Sequence, residues 1–486
     1  MRRNSSGSNM LPQSATWETL PQSQSWLESA HAGAQRTGSV KSSTLNLTNT
    51  LIGAGMLGLP AAFAACGYGI GALMLCVFAF FSGLGLHLLS AAADVVGRPA
   101  TFRSVAEAAL PGSGLPYVID AAIAIKCFGV ATSYLVVVGD SVPKAIKPLG
   151  ATGFLLDRRL WVLLSVPILV PIVSLKKIDG LKYTSMLSLA CLFLVILEIV
   201  LFAIGPLFGG QPVLNPYANS TSYCFPSDGS HPCVGEIAAT TNVIDVLRKV
   251  PIFVFSYTCQ QNIVSVSNEM RRPTPLRINS AIGISEAIAC SVYILVGFCG
   301  YFTFGDKILS DVLTTYPASP IVAVARILMS VSVVLSYGLQ SHPSRMCILS
   351  LIGAIRSACG MSTDPSASVN TEAARGLAAE LLPPPQNGLT TPESAVGQKT
   401  FVVVTGLFLM CSVTIALFVD DLGLVLSIVG ATGSTTVSYL LPGFCYFRLC
   451  PEKASPKRWL AFLQLALGCI IMPGSLVLIF LGDSGG

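Results

Sequence analysis

The sequence predicts an all-α polytopic membrane protein, and three observations carry that expectation. Of 486 residues, 52% are hydrophobic and only 11% are charged, whereas soluble domains hold roughly 25% charged residues. The apolar residues gather into eleven stretches, near 44–66, 68–94, 116–140, 160–176, 183–208, 243–267, 278–304, 318–341, 400–418, 422–447 and 459–481. A helix needs about 20 such residues to cross a bilayer; the fourth and ninth stretches are the shortest. Lys and Arg are also distributed unevenly. With the N-terminus placed in the cytosol, twenty fall on cytosolic segments and seven on the other side. That bias marks an N-in chain, and eleven spans put the C-terminus on the luminal or extracellular side. The loop 144–159 runs against the bias.

The segments outside the spans follow from composition. Residues 1–40 are rich in Ser, Gln and Gly and lack an apolar core, so they read as a disordered cytosolic tail. The membrane domain then covers 41–482. A second disordered cytosolic segment is expected at 357–398, which includes Pro383-Pro-Pro385. Most of the fifteen cysteines lie within spans as small apolar fillers. Cys224 and Cys233 instead share the polar loop 209–242 with the sequon Asn219-Ser-Thr221. A luminal or extracellular loop permits both a Cys224–Cys233 disulfide and glycosylation at Asn219.

Two spans are interrupted. The first contains Asn46-Leu-Thr-Asn-Thr-Leu-Ile-Gly-Ala-Gly-Met-Leu-Gly-Leu-Pro60, with Gly53, Gly55, Gly58 and Pro60 where a continuous helix would carry Leu. The sixth has Pro251 near its start and a polar run from Ser256 to Asn262. Broken backbone at membrane depth is tolerated only where it is buried in protein or lines a cavity. Paired breaks at matching places in two halves point to a binding site in an inverted-repeat transporter. The spans accordingly divide five, five and one, with the second five inverted relative to the first.

The candidate site residues come from these breaks. Backbone amides around Gly53, Ala54, Gly55 and Met56 suit a carboxylate; the alternative is a small-residue helix contact. Ser256, Thr258, Cys259, Gln261 and Asn262 supply polar groups that must find partners in substrate, water or the first span. Asn49 offers an oxygen to a cation or substrate, or an interhelical hydrogen bond. Ser332 and Ser336, four residues apart on one helix face, could complete an ion site or bond back to their own helix.

Lys126, Glu198, Glu286 and Arg326 are charges within spans. For Lys126 a structural ion pair or snorkelling to the interface weighs against a proton relay. His87 and His342 read as hydrogen-bonding residues in or beside spans. The sequence shows no metal cluster, phosphate loop or nucleophile–base motif, so an enzyme, a cofactor and ATP-driven transport are not expected.

The interrupted spans also carry a resemblance. The run from Asn46 to Pro60 resembles the first helix of the amino acid/auxin permease family. Phe255-Ser-Tyr-Thr-Cys-Gln-Gln-Asn262 with Asn268-Glu269 resembles its sixth. Leu335-Ser-Tyr-Gly-Leu-Gln-Ser-His-Pro-Ser-Arg345 resembles the end of the eighth in vacuolar-type members. The likeness covers roughly 40–480 and implies an eleven-helix LeuT-like fold with secondary active transport of amino acids. It further implies sodium binding at positions matching Asn49 and Ser336 in sodium-coupled neutral amino acid transporters, and proton coupling in vacuolar-type relatives.

The expected function is H⁺- or Na⁺-coupled transport of neutral amino acids by alternating access, as symport or antiport, in a vacuolar, lysosomal or plasma membrane. The expected partners are the amino acid and the lipid bilayer, with no nucleic acid and a monomeric chain. The alternative is an amino acid sensor that signals through its polar segments without significant flux. A channel finds no charged ring or repeated pore motif to support it.

Overall fold

The computed structural model describes residues 38–98, 100–174, 182–208, 235–358, 398–450 and 455–482. The expected tail 1–40, apart from its last residues, lies outside these, as do almost all of the 357–398 segment, Asn219, Cys224 and Cys233. The described residues are helical throughout, joined by short turns. In chain order the helices are α1 (Val40–Leu51), α2 (Gly55–Cys66), α3 (Tyr68–Val96), α4 (Phe102–Ala109), α5 (Leu115–Ile146), α6 (Arg158–Val173), α7 (Lys182–Ile204) and α8 (Val243–Ser256). There follow α9 (Gln260–Glu269), α10 (Pro275–Phe304), α11 (Val312–Thr315), α12 (Pro320–Ala358), α13 (Gln398–Phe418), α14 (Leu422–Val429), α15 (Leu441–Leu449) and α16 (Pro456–Gly482). Two π-helical turns, Gly430–Ser434 and Thr436–Leu440, connect α14 to α15.

Among the described residues, eight helical segments are long and apolar enough to cross a bilayer, and nine when α1 and α2 count as one span bent by 52°. The chain is a multi-pass membrane protein. Two of the eleven expected spans fall outside this set for different reasons. The fourth, α6, is helical but only 16 residues long, with Pro167 and Pro171 inside it. The sixth is divided into α8 and α9, of 14 and 10 residues, and neither piece reaches the length of a bilayer.

Local sequence sets the helix ends. Ser39 caps α1 through Ser42 N–H, Thr101 and Ser104 form a reciprocal capping box on α4, and Thr274 caps α10 ahead of Pro275. Each satisfies an N–H group that the first helical turn leaves without a partner.

Burial separates an inner from an outer set. In α5 the most apolar stretch is 72% buried, against 28% in α7 and 22% in α16. Helix α12 packs along α5 and α7, while α10 packs against α1, α2 and α3. The outward faces carry exposed Leu73, Phe80, Phe193, Leu201, Leu407, Met410, Ile470 and Phe480. So many large exposed apolar side chains suit hydrocarbon as the surrounding solvent.

Charges at the ends of the bundle are held in place. Arg103 meets Asp120 at 3.4 Å and Arg158 meets Asp140 at 2.7 Å. Arg326 donates to the carbonyls of Leu313, Tyr316 and Lys144, so this intramembrane cation fastens the α11 segment to α5 and α12. Asp311, in the connection before α11, caps that helix through Leu313 N–H at 2.9 Å. Its other carboxylate oxygen is buried without a hydrogen bond. Burial pushes the Asp311 carboxyl up to about 6, against the partial relief of the Leu313 amide.

The sign of the linkage follows. A raised carboxyl binds its proton more tightly in the folded chain than in the unfolded one, so stability falls as pH rises from about 4 to about 6. Asp311→Asn keeps a capping oxygen and removes the ionisation. Thermal unfolding of the purified protein in detergent is expected to show a flatter profile from pH 4 to 7 for this variant. An unchanged slope would show that Asp311 does not cause it.

Candidate functional site

The first break lies at Ile52–Ala54. Ile52 N–H still donates to Thr48 O at 2.8 Å, and Met56 and Leu57 N–H close short turns onto Gly53 O and Ala54 O. The amides of Gly53, Ala54 and Gly55 have no such bond among the described residues. They lie at and just before the N-terminus of α2, where the helix dipole adds partial positive charge. Glycine has poor helix propensity, and here it also permits close approach. A Cβ on Gly55 would lie 3.0 Å from Ser256 Oγ and 3.1 Å from Ser256 Cα. The two breaks therefore meet.

The second break, Tyr257–Cys259, exposes carbonyls that other helices satisfy. Tyr293 of α10 places its hydroxyl within hydrogen-bonding reach of Ser256 O and of Leu51 O, one carbonyl from each break. Ser82 Oγ of α3 reaches Tyr257 O at 2.7 Å. Lys126 Nζ of α5 donates to Thr258 O at 3.4 Å. The Gln260 side chain accepts from Cys259 N–H at 3.0 Å.

A polar network extends outward from this break. Ser438, in the second π-helical turn, lies 3.2 Å from Thr258 Oγ1 and 2.7 Å from Gln260 Oε1. Gln260 Nε2 donates to Ser82 Oγ at 3.1 Å, and Ser82 Oγ lies 2.7 Å from Glu286 Oε1. Glu286 is buried, with its second oxygen unpartnered. π-Turns often mark functional sites. Here they bring Gly433 against α5 so closely that a Cβ would sit 2.6 Å from Lys126 Cβ.

A small cavity lies between the breaks. Its wall is Thr50, Leu51, Gly53, Ala54, Gly55, Lys126, Val130, Tyr134, Phe255, Thr258 and Gln340. Of the expected substrate residues, Gly53, Ala54, Gly55 and Thr258 are in this wall; Met56, Ser256, Cys259 and Asn262 are buried beside it. Ser256 Oγ donates to Ile252 O at 2.9 Å, and Thr258 Oγ1 donates to Val254 O at 2.6 Å. Both hydroxyls thus bond back to their own helix. Asn262 Nδ2 bonds Thr50 Oγ1 at 2.8 Å and joins the two interrupted spans.

The expected ion residues fall into two groups. Ser332 and Ser336 both face Ser188 of α7, whose Oγ lies 2.7 and 2.9 Å from theirs. Asn49 is buried with neither amide atom hydrogen-bonded, and the Thr48 hydroxyl is likewise buried and unpartnered. Buried polar groups are normally hydrogen-bonded, so Asn49 and Thr48 are exceptions. His87 Nδ1 lies 2.9 Å from Asn279 Oδ1, a structural contact. Among the described residues, no group of three or more His, Cys, Asp or Glu side chains could hold a metal ion.

Sequence reasoning did not place Tyr134, Gln340, Tyr293, Gln260 or Ser438 at the site. Their shared signal is a polar side chain on a buried helix face, which many structural residues also show. Of the two structural alternatives for Lys126, an ion pair does not form with any described carboxylate; Lys126 Nζ donates to a carbonyl. Tyr293→Phe removes a hydroxyl that lies within reach of a carbonyl from each break and can donate to one of them at a time, leaving that buried carbonyl unpaired. A buried unsatisfied group costs about 1–3 kcal/mol, so the variant should unfold at lower temperature in detergent and transport more slowly. Equal unfolding temperatures would mean that another donor holds the breaks.

The profile of the transmembrane amino acid transporter protein family matches residues 36–483. Over 419 residues the chain is 33% identical to vacuolar amino acid transporter 5 of Schizosaccharomyces pombe, covering 85% of this chain and 86% of that protein. It is 31% identical over 422 residues to vacuolar amino acid transporter 6 of Saccharomyces cerevisiae, covering 85% and 90%. Sodium-coupled neutral amino acid transporter 7 of Danio rerio is 26% identical over 440 residues, covering 88% and 82%. With two interrupted helices meeting at a buried polar cavity inside the matched region, the chain belongs to the transmembrane amino acid transporter family.

Proposed function

We propose that this protein is a secondary active transporter of amino acids, neutral ones among them, that works by alternating access with H⁺ or Na⁺ as the coupling ion. The observation that carries the reading is the cavity itself, where the unbonded amides of Gly53, Ala54 and Gly55 share a wall with Thr258 and Lys126. Amides at a helix N-terminus suit a carboxylate, and the carbonyls of the second break suit an ammonium. The eleven helices form a LeuT-like 5+5 inverted repeat plus one in this proposal, with the interrupted spans opening the two halves. The orphaned Asn49 side chain and the Ser188–Ser332–Ser336 cluster are the candidate ion-coupling groups. Relatives named as vacuolar transporters support a vacuolar-type membrane.

Purified protein in liposomes provides the test. Uptake of radiolabelled neutral amino acids is expected when an H⁺ or an Na⁺ gradient is imposed, and the two gradients are applied separately to identify the ion. Asn49→Ala should abolish stimulation by sodium if sodium is the ion, and leave pH-driven uptake intact if it is not. Thr258→Ala should raise the substrate concentration for half-maximal uptake several-fold with unchanged membrane insertion. Substrate binding with no flux under either gradient would overturn the carrier and favour a receptor.

A further inference from the structure

Lys126 has the features of a ligand-binding group rather than of a structural ion pair. It is 1% exposed and belongs to the wall of the cavity. Its position is fixed from behind, because the backbone of Gly433 lies against its Cα and Cβ with no room for a side chain. Its one hydrogen bond among the described residues, to Thr258 O at 3.4 Å, is long for an ammonium donor. None of the described carboxylates of the surrounding helices pairs with Lys126, although Glu286 keeps one oxygen without a partner. Asp120 meets Arg103, Asp140 meets Arg158 and Glu286 meets Ser82. Among the described titratable groups, the thiols of Cys127 and Cys259 lie close enough to Lys126 to act on it, and Tyr134 is in the same wall.

A buried ammonium without an anion is costly, and a carboxylate entering the same cavity removes that cost. The only other fixed positive character in the wall is the N-terminus of α2, and the wall contains no acidic side chain. A cationic substrate group would therefore meet one buried cation and no counter-charge. We infer that Lys126 binds a carboxylate of the transported amino acid and sets the charge selectivity of the site, admitting neutral and acidic amino acids and rejecting cationic ones. This rests on the transport reading of the same cavity. It adds a substrate class and a specificity-determining residue to that reading.

Competition binding on the purified protein tests it, with alanine, glutamate, lysine and alaninamide as competitors against a bound radiolabelled amino acid. Alanine and glutamate should compete. Lysine, with its second cation, and alaninamide, which lacks the carboxylate, should each be at least about tenfold weaker, as expected when a charged group loses its partner. Lys126→Met should weaken alanine and glutamate by at least about tenfold and narrow their advantage over lysine. Lys126→Arg should keep the preference for a carboxylate.

The inference is overturned if lysine and alaninamide compete as well as alanine in the unaltered protein. It is equally overturned if Lys126→Met elutes as a folded monodisperse species with the preference intact. Where Lys126→Met does not fold, the alaninamide and lysine comparison on the unaltered protein decides alone. Binding without flux would sink the carrier reading and leave this inference standing. Absence of any amino acid binding would sink both.

Discussion

Everything at the centre of this protein depends on one constraint: backbone N–H and C=O groups freed by a broken helix must find partners in an apolar interior. Two spans break, at Ile52–Ala54 and at Tyr257–Cys259, and each releases groups that neither water nor hydrocarbon can satisfy. The helices around them carry the answer. Tyr293 reaches a carbonyl in each break, Ser82 takes Tyr257 O, and Lys126 takes Thr258 O. Each of these side chains is buried, and each has a backbone group within its reach as partner.

The satisfaction is incomplete in one direction, and the chemistry follows from that asymmetry. Carbonyls of the second break have donors, whereas the amides of Gly53, Ala54 and Gly55 have no acceptor among the described residues. Gly53, Ala54 and Gly55 line the cavity together with Lys126, so the polar capacity left there is that of donors. Asn49 and Thr48 are left with the same kind of unmet capacity one turn before the break. Unpaired polar groups are expensive in a buried interior, and this short stretch of helix holds two such residues beside the break.

The outer network shows how such a site is kept rigid yet changeable. From Thr258 it runs through Ser438 and Gln260 to Ser82 and Glu286, joining the second break to α3, α10 and the π-turns before α15. A π-turn holds its helix with altered hydrogen bonding, and here it also provides the close backbone approach of Gly433 to Lys126. Helices tied through side-chain hydroxyls and amides, rather than through apolar interlock alone, can exchange partners at modest cost.

Much of this was legible in the sequence, because the signals involved are local. Long apolar stretches declare spans, and Gly53, Gly55 and Pro60 or the polar run from Ser256 to Asn262 declare interruptions, since helix propensity and hydropathy act over a few neighbouring residues. The same reading failed where the outcome depended on distance in space. For Lys126 the sequence names no partner, and the structure sets its side chain against a carbonyl 132 residues away. Ser332 and Ser336 shared a face as their spacing required, but the hydroxyl they meet belongs to Ser188, more than 140 residues earlier. The sequence alone determined that the chain enters a membrane and where its helices break, because those follow from the cost of moving each residue and each peptide group out of water. Only the tertiary structure decided which polar groups pair across the breaks and which remain free for a ligand, because that depends on the packing of helices distant in the chain.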